Sequence, residues 1–293
     1  MAYTTINKGS LYMNPVLYTG NGGTQSITGV NFQPDWVWVK GRTNTPNHYL
    51  FDSVRGVQKN IHSNTNDGEA TGANTLTAFG SDGFTLGSDG DPNGSGQNYV
   101  GWNWKAGGTA SSNTDGSITT NASVNTTAGF SIVTYTGTGS NATIGHGLGV
   151  KPDAVFFKRL DTTGGWASYH SVLGATKYMR LDSTSGEQTA SDEFQNTEPT
   201  VDEISIGTDG AVNGTSMVAY CFADVKGFSK FGSYVGNGST DGTFVYTGFK
   251  PAFVMIKNAS AAVTDWIMYD KARGGPASGV YGNNNKYFLR ANT

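Results

Sequence analysis

The chain has 293 residues, a formal net charge of −3, and only 14% charged residues, against about 25% in an ordinary globular domain. No apolar run approaches the roughly 20 residues that span a membrane, no basic run suggests nucleic acid, and a single cysteine, Cys221, excludes a disulfide framework. The opening MAYTTINKGSLYMNP lacks the charged and apolar segments of a signal peptide, while 42 glycines and 12% aromatics supply turns and a core.

Short runs rich in Val, Ile, Phe, Tyr and Trp follow one another along the chain, separated by Gly, Asn, Ser and Thr. This pattern predicts an all-β protein of antiparallel β-sandwiches, jelly-roll or lectin-like. An immunoglobulin-type sandwich would show a Cys…Trp…Cys spacing that is absent here. No stretch of a dozen residues carries a helical stripe.

The first unit, 1–106 with its N-terminal arm, has a turn at Tyr18-Thr-Gly-Asn-Gly22, a second glycine signal near Gly29, and then QPDWVWVK at 33–40. Side chains on a strand alternate between faces, so Trp36 and Trp38 point one way and Val37 and Val39 the other. Both faces are apolar, which predicts a central strand covered on both sides. Pro34 suits the strand entry, and Lys40 is expected to carry the strand end into solvent. FDSVRG follows at 51–56, DGDPNG at 89–94, and the closing run YVGWNW at 99–104.

Residues 107–128, small and polar, read as a flexible linker. The second unit, 129–227, repeats the first. Tyr135 opens the turn, Gly147 follows, and KPDAVFFK stands at 151–158. Then come YHSVLG at 169–174 and the closing run MVAYCF at 217–222. Pro34 to Trp102 and Pro152 to Tyr220 are both 68 residues apart.

The third unit, 228–293, has Tyr234, Gly248, KPAFVMIK at 250–257 and YDKARG at 269–274. The same spacing from Pro251 runs past Thr293, so this unit is expected to lack its closing strand. It should then be an incomplete sandwich, or one completed by another chain. The junction Asp224–Gly227 is so short that units two and three should be held stiffly together.

Candidate chemistry is sparse. The four histidines, His48, His62, His146 and His170, show no metal-ligand spacing. Cys221 reads as a small buried hydrophobe. Asp52/Arg55 and Asp270/Arg273 read as ion pairs fixing a turn, because the second unit has His170 and Leu173 instead. DGDPNG resembles the start of a calcium loop but lacks the glutamate at its twelfth position, where Val100 stands; a polar turn is the better reading. Trp36, Trp38, Trp102 and Trp104 could stack on sugars, yet they lie on core strands. A glycan site would instead use the loops 43–49, 88–98 or 160–168. The N-x-S/T triplets at Asn121, Asn141, Asn213, Asn237 and Asn258 follow from composition. No catalytic residue, metal site or cofactor is assigned, and a ligand-binding residue is not identifiable.

MAYTTI, the 18–29 turn, QPDWVWVK, FDSVRG, DGFTLG (82–87) and WNWKAGG (102–108) together resemble a repeat domain of marine phage virion proteins, described as tail fibres or fibre-like structural proteins. The resemblance spans nearly the whole chain. It implies a non-enzymatic virion structural protein located in a tail fibre or at the particle surface. It also implies a homo-oligomer, a trimer among the candidates, with other virion proteins and a host-surface glycan as partners, and neither nucleic acid nor membrane insertion. The alternatives are a carbohydrate-binding module array, a capsid-surface decoration protein and, last, a polysaccharide-depolymerising tailspike.

Overall fold

A computed structural model describes residues 4–274 and 288–293. The first segment contains β1 (Met13–Thr19), β2 (Gln25–Ile27), β3 (Trp36–Gly41), β4 (Tyr49–Asp52), β5 (Lys59–Asn60), β6 (Ala70–Thr71), β7 (Leu76–Gly80), β8 (Gly83–Leu86), the one-turn helix α1 (Gly90–Asn93) and β9 (Asn98–Trp104). One antiparallel sheet has the order β1-β9-β3-β4 and a second the order β2-β8-β7; β5 and β6 pair separately. The period of two sorts the side chains. Val37, Val39, Phe51 and Tyr99 turn toward Leu76, Phe84 and Leu86 of the second sheet, forming a sandwich core. Trp36, Trp38, Leu50, Trp102 and Trp104 turn the other way.

The second segment contains β10 (Ser111–Asn113), β11 (Thr120–Asn125), β12 (Phe130–Tyr135), β13 (Ala142–Gly145), β14 (Ala154–Arg159), β15 (Ala167–His170), β16 (Lys177–Tyr178), β17 (Gln188–Thr189), α2 (Ser191–Phe194), β18 (Glu203–Ile206), α3 (Gly210–Asn213) and β19 (Met217–Phe222). Its large sheet has the order β10-β11-β12-β19-β14-β15, with β13-β18 and β16-β17 as separate pairs. The central register matches the first segment. Trp36 and Trp38 pair with Trp104 and Trp102, and Ala154 and Phe156 pair with Phe222 and Tyr220. Val155, Phe157 and Tyr169 face Ile144, Ile204 and Ile206 in a second core.

The linker expectation fails. Residues 107–128 hold β10 and β11, and β11 pairs with β12 along five positions, Asn121 to Asn125. Its small residues suit a strand: Ala122 is buried in the second core and Val124 packs against it. Ser123 donates to Gly108 O and Thr120 to Gly145 O. Polar composition alone does not distinguish such a strand from a flexible linker.

The described part of the third segment contains β20 (Phe253–Ile256), β21 (Ile267–Asp270) and β22 (Leu289–Arg290), one antiparallel sheet in that order. Among the described residues β20 pairs only with β21, whereas β3 and β14 each have two neighbours. Residues 230–250 form no strand. Among the described residues no strand takes the place that β9 holds between β1 and β3 and that β19 holds between β12 and β14.

The outer aromatic faces meet in one central core. Trp36, Trp38, Trp102 and Trp104 join Phe130, Ile132, Trp166, Tyr220, Trp266 and Met268, all buried, with Phe253 and Phe156 packed against them. Trp36 stacks on Tyr220 at 4.4 Å between ring centroids. Phe253 meets Trp104 edge-on at 5.5 Å, and Phe156 meets Trp266 at 6.3 Å. Each segment thus hides its second apolar face against the other two.

The repeated Y-x-G-x-G turns have a steric cause. Tyr18 donates to Pro92 O at the end of α1, and Tyr135 to Val212 O in α3. Gly20 lies so close to Gly94 O that a Cβ would stand 2.3 Å from it; Gly137 meets Gly214 O at 2.4 Å in the same way.

Trp36→Ala is expected to destabilise the protein by about 3–5 kcal/mol, the range for buried aromatic truncation. Because the ring contacts Phe130, Tyr220 and Phe222 of the second segment, hydrogen exchange should show protection lost in both segments. Loss confined to residues 13–104 would contradict a shared core.

Candidate functional site

The residues that recur in sequence converge on the seams between segments. There Trp166 Nε1 donates to His62 O at 2.9 Å and Trp266 Nε1 donates to Arg180 O at 2.9 Å. His48 Nε2 bonds Arg290 O at 2.7 Å. These links run from the second segment to the first, the third to the second, and the first to the third. They close a ring. His48, Trp166 and Trp266 occupy one equivalent position: their backbone N–H groups donate to Asn64, Asp182 and Asn292.

The three lysines follow the same cycle. Lys158 Nζ donates to Gly164 O at 2.8 Å and reaches Asn66 O of the first segment at 3.4 Å. Lys257 Nζ donates to Thr264 O and to Thr184 O of the second segment. Lys40 Nζ donates to Pro46 O and Thr293 O, at 2.8 and 2.9 Å. The expectation that Lys40 leads into solvent is therefore corrected: it is 8% exposed and its counterpart Lys158 0%, while Lys257 is half-buried. Alternation puts Lys40 on the face of Trp36 and Trp38, where it meets carbonyls rather than water. Burial pushes the Lys40 and Lys158 pKa values down to about 8.

The Asp–Arg pairs also serve the seams. Asp52 accepts from Val54 N, Arg55 N and Arg55 Nε within its own turn. It also accepts from Tyr220 OH at 2.7 Å, across the seam. Asp270 accepts from Ala272 N, Arg273 N and Arg273 Nε, and from Trp102 Nε1 at 2.9 Å. Burial alone would lower the Arg55 pKa, but the charges of Asp52 and Glu69 outweigh it and raise it. In the second segment His170 takes the turn role, its Nδ1 accepting from Val172 N at 3.2 Å.

The other candidates resolve as structural groups. Asp89 and Asp209 cap α1 and α3, accepting from Asp91 N and Ala211 N, so DGDPNG is a capped turn. Asn93 and Asn213 anchor these turns through buried bonds to Gly87 O and Gly207 O. Among the described residues no cluster of His, Cys, Asp or Glu could hold a metal ion. His146 and Cys221 are fully buried; burial pushes the Cys221 thiol up to about 12. Trp36, Trp38, Trp102 and Trp104 are core residues. Loop 160–168 lies in a seam, with Gly164 N donating to Asn66 O and Glu69 N to Leu160 O. Loop 43–49 meets Thr293 through Lys40.

Sequence reasoning missed Glu193. It is 1% exposed, neither carboxylate oxygen has a hydrogen-bond partner, and Arg180 Nη2 stands 3.6 Å away. Burial, then the charge of Asp209, pushes its pKa up to about 8. No helical or strand pattern distinguishes this glutamate from an exposed one. Burial therefore favours its neutral form and sets it apart from an exposed carboxylate.

The most exposed apolar side chains lie in the third segment. Val235, Phe244 and Tyr246 are 87%, 85% and 74% exposed. Val254, Ile256 and Tyr269, on the face away from the central core, are only half-buried. With Val263 at 86%, Val235, Phe244 and Tyr246 are the most exposed large apolar side chains among the described residues, and they make the third segment the candidate interaction site.

A family model described as "Domain of unknown function (DUF7483)" matches residues 8–292, and the chain belongs to that family. No curated protein and no solved structure matches.

Two predictions test the buried groups. Asp52→Asn removes the closer of the two carboxylates that pair with the buried Arg55 guanidinium and leaves only Glu69, at 3.2 Å, so denaturant unfolding should show a loss of about 3 kcal/mol. Arg159→Ala, which removes a partly exposed ion pair with Asp161, should cost less than about 1 kcal/mol. For Glu193, the folded state binds the proton more tightly than the unfolded chain does. Stability is therefore greatest below the unfolded value of 4.5 and falls as pH rises toward about 8. Glu193→Gln should flatten the thermal midpoint across that window, and an unchanged pH dependence would contradict the assignment.

Proposed function

We propose that this DUF7483 family member is a non-enzymatic structural protein of a virus particle, a tail fibre or fibre-like appendage. It would present β-sandwich loops to a host surface or to neighbouring subunits, as its resemblance to marine phage virion proteins implies. The supporting observation is the use of its recurring polar residues. Asp52, Asp270, Tyr18, Tyr135 and the three lysines each fix a turn, a helix end or a seam. A glycoside hydrolase would need two carboxyls facing one groove, roughly 5–10 Å apart. Here the recurring carboxylates are buried against arginine, at 2.5 Å in both pairs. A seam-locked, low-charge scaffold suits a component that must hold its shape outside a cell.

A carbohydrate-binding array is the second reading, and one observation favours it. Tyr234 and Tyr246 are 48% and 74% exposed, and exposed aromatic rings stack on sugars. In that case binding on a glycan array should be abolished by Tyr246→Ala and unaffected by Tyr135→Phe.

The primary reading is tested on particles. Antibodies raised against this chain should decorate appendages of the purified virus in electron micrographs. The protein should release no reducing ends from host polysaccharide. Unlabelled particles, or progressive release of reducing ends, would overturn it.

A further inference from the structure

We propose that the seam between the first and third segments is an acid-sensitive latch, in which protonation of His48 releases residues 288–293 from the first segment while the other two seams stay closed. Two bonds fix the state of the ring. Trp38 Nε1 donates to His48 Nδ1 at 2.8 Å, and His48 Nε2 meets Arg290 O at 2.7 Å. An indole N–H can only donate and a carbonyl can only accept. The imidazole is therefore neutral, with its proton on Nε2. A second proton has only Nδ1 to take, and there it would face the Trp38 N–H donor to donor. His48 is fully buried, so in the closed seam neither N–H finds water in exchange, and an unsatisfied buried donor is costly.

The other two seams lack this device. Trp166 and Trp266 hold the position of His48 and donate to His62 O and Arg180 O. An indole supplies the same kind of bond but takes up no proton in the range where histidine does. The main chain also supports those seams where it does not support this one. Gly164 N donates across its seam to Asn66 O, and Thr264 N donates to Thr184 O. The carbonyls of the same two residues receive the seam lysines. In the first segment that carbonyl belongs to Pro46, which has no N–H to give. Side chains hold residues 288–293 instead: His48 on Arg290 O, Ser63 Oγ on Ala291 O and Lys40 Nζ on Thr293 O.

The surroundings of His48 disfavour a charged ring. Burial opposes it most, followed by the Lys40 ammonium on β3. The carbonyls of Arg290 and Thr293 favour it, and His62, beyond β5, opposes it. His62 Nδ1 donates to His48 O at 2.6 Å. On the third segment the Arg290 guanidinium is engaged with Asp265, at 2.5 Å. The net effect holds the His48 pKa well below 6.5 while the seam is closed. The opened seam, where the ring meets water, binds the proton more tightly. Closure is therefore complete above pH 6.5 and weakens as pH falls toward the folded value, by about tenfold in the opening equilibrium for each pH unit. Burial also lowers the pKa values of His62, His146 and His170, so the decisive readout is local rather than the overall acid stability.

The indole N–H groups of the isotope-labelled full chain supply that readout by NMR hydrogen exchange, corrected for its intrinsic pH dependence. Between about pH 7 and about pH 5, the protection of Trp38 Nε1–H should fall about tenfold for each unit below 6.5. Trp166 Nε1–H and Trp266 Nε1–H should keep theirs. His48→Gln retains an oxygen for Trp38 and an N–H for Arg290 O but takes up no proton, so it should keep Trp38 protected throughout. The unmodified protein gives a second measurement that does not depend on the variant folding. Its His48 ring should carry the proton on Nε2 alone at neutral pH, and its protonation should share a midpoint with the loss of Trp38 protection. Four outcomes would overturn the latch: equal loss at all three indoles, no loss at Trp38, an acid response kept by His48→Gln, or a His48 ring that gains its proton while Trp38 stays protected.

Discussion

A strand with two apolar faces must be covered twice, and that constraint organises this protein. In β3 and β14 one face is covered by the small sheet of the same segment. The other face is covered only by the neighbouring segments. No segment can be buried properly by itself, so the fold is cooperative across the whole chain. Burial of one large side chain stabilises by roughly 1.5–3 kcal/mol, and aromatic pairs add about 0.5–1.5 kcal/mol each. The central core gathers both gains, and the stacking of Trp36 on Tyr220 joins two segments directly.

Apolar contact alone would allow these sheets to slide. Directional bonds set the register. The ring of His48, Trp166 and Trp266 onto backbone carbonyls links each segment to the next. The lysines repeat the same cycle. Burial disfavours the charged form of an ammonium held among carbonyls, and it lowers the Lys158 pKa. The buried ammonium also disfavours other packings, because a shifted register would leave a buried cation without acceptors. The low overall charge is consistent with this: several of the few charged side chains act inside the protein rather than on its surface.

Much of this was legible in the sequence. WVWVK announces a doubly covered strand, and the equal Pro34–Trp102 and Pro152–Tyr220 spacings anticipate equal strand registers. The Asp–Arg turns follow from the same alignment. The lysines were legible too, since position 40 has the parity of Trp36 and Trp38, but a lysine at a strand end is ordinarily solvated and that expectation prevailed. β10 and β11 were hidden by composition, because Ser, Thr and Asn serve strands and linkers alike. The burial of Glu193 depends on how α2 packs against β18, and the equivalence of His48 with two tryptophans depends on a seam; neither leaves a local pattern.

The one break in the cycle is informative. Position 170 is histidine where the other segments have aspartate, and position 173 is leucine where they have arginine. Had the second segment kept the pair, its buried charges would need a donor from across the seam, as Asp52 has Tyr220 and Asp270 has Trp102. Among the described residues that donor is missing. A carboxylate and guanidinium facing an unfilled seam would carry a desolvation cost with one hydrogen bond unmade. A neutral imidazole that accepts from Val172 N carries no such charge. The substitution therefore leaves no carboxylate–guanidinium pair to be desolvated at this position.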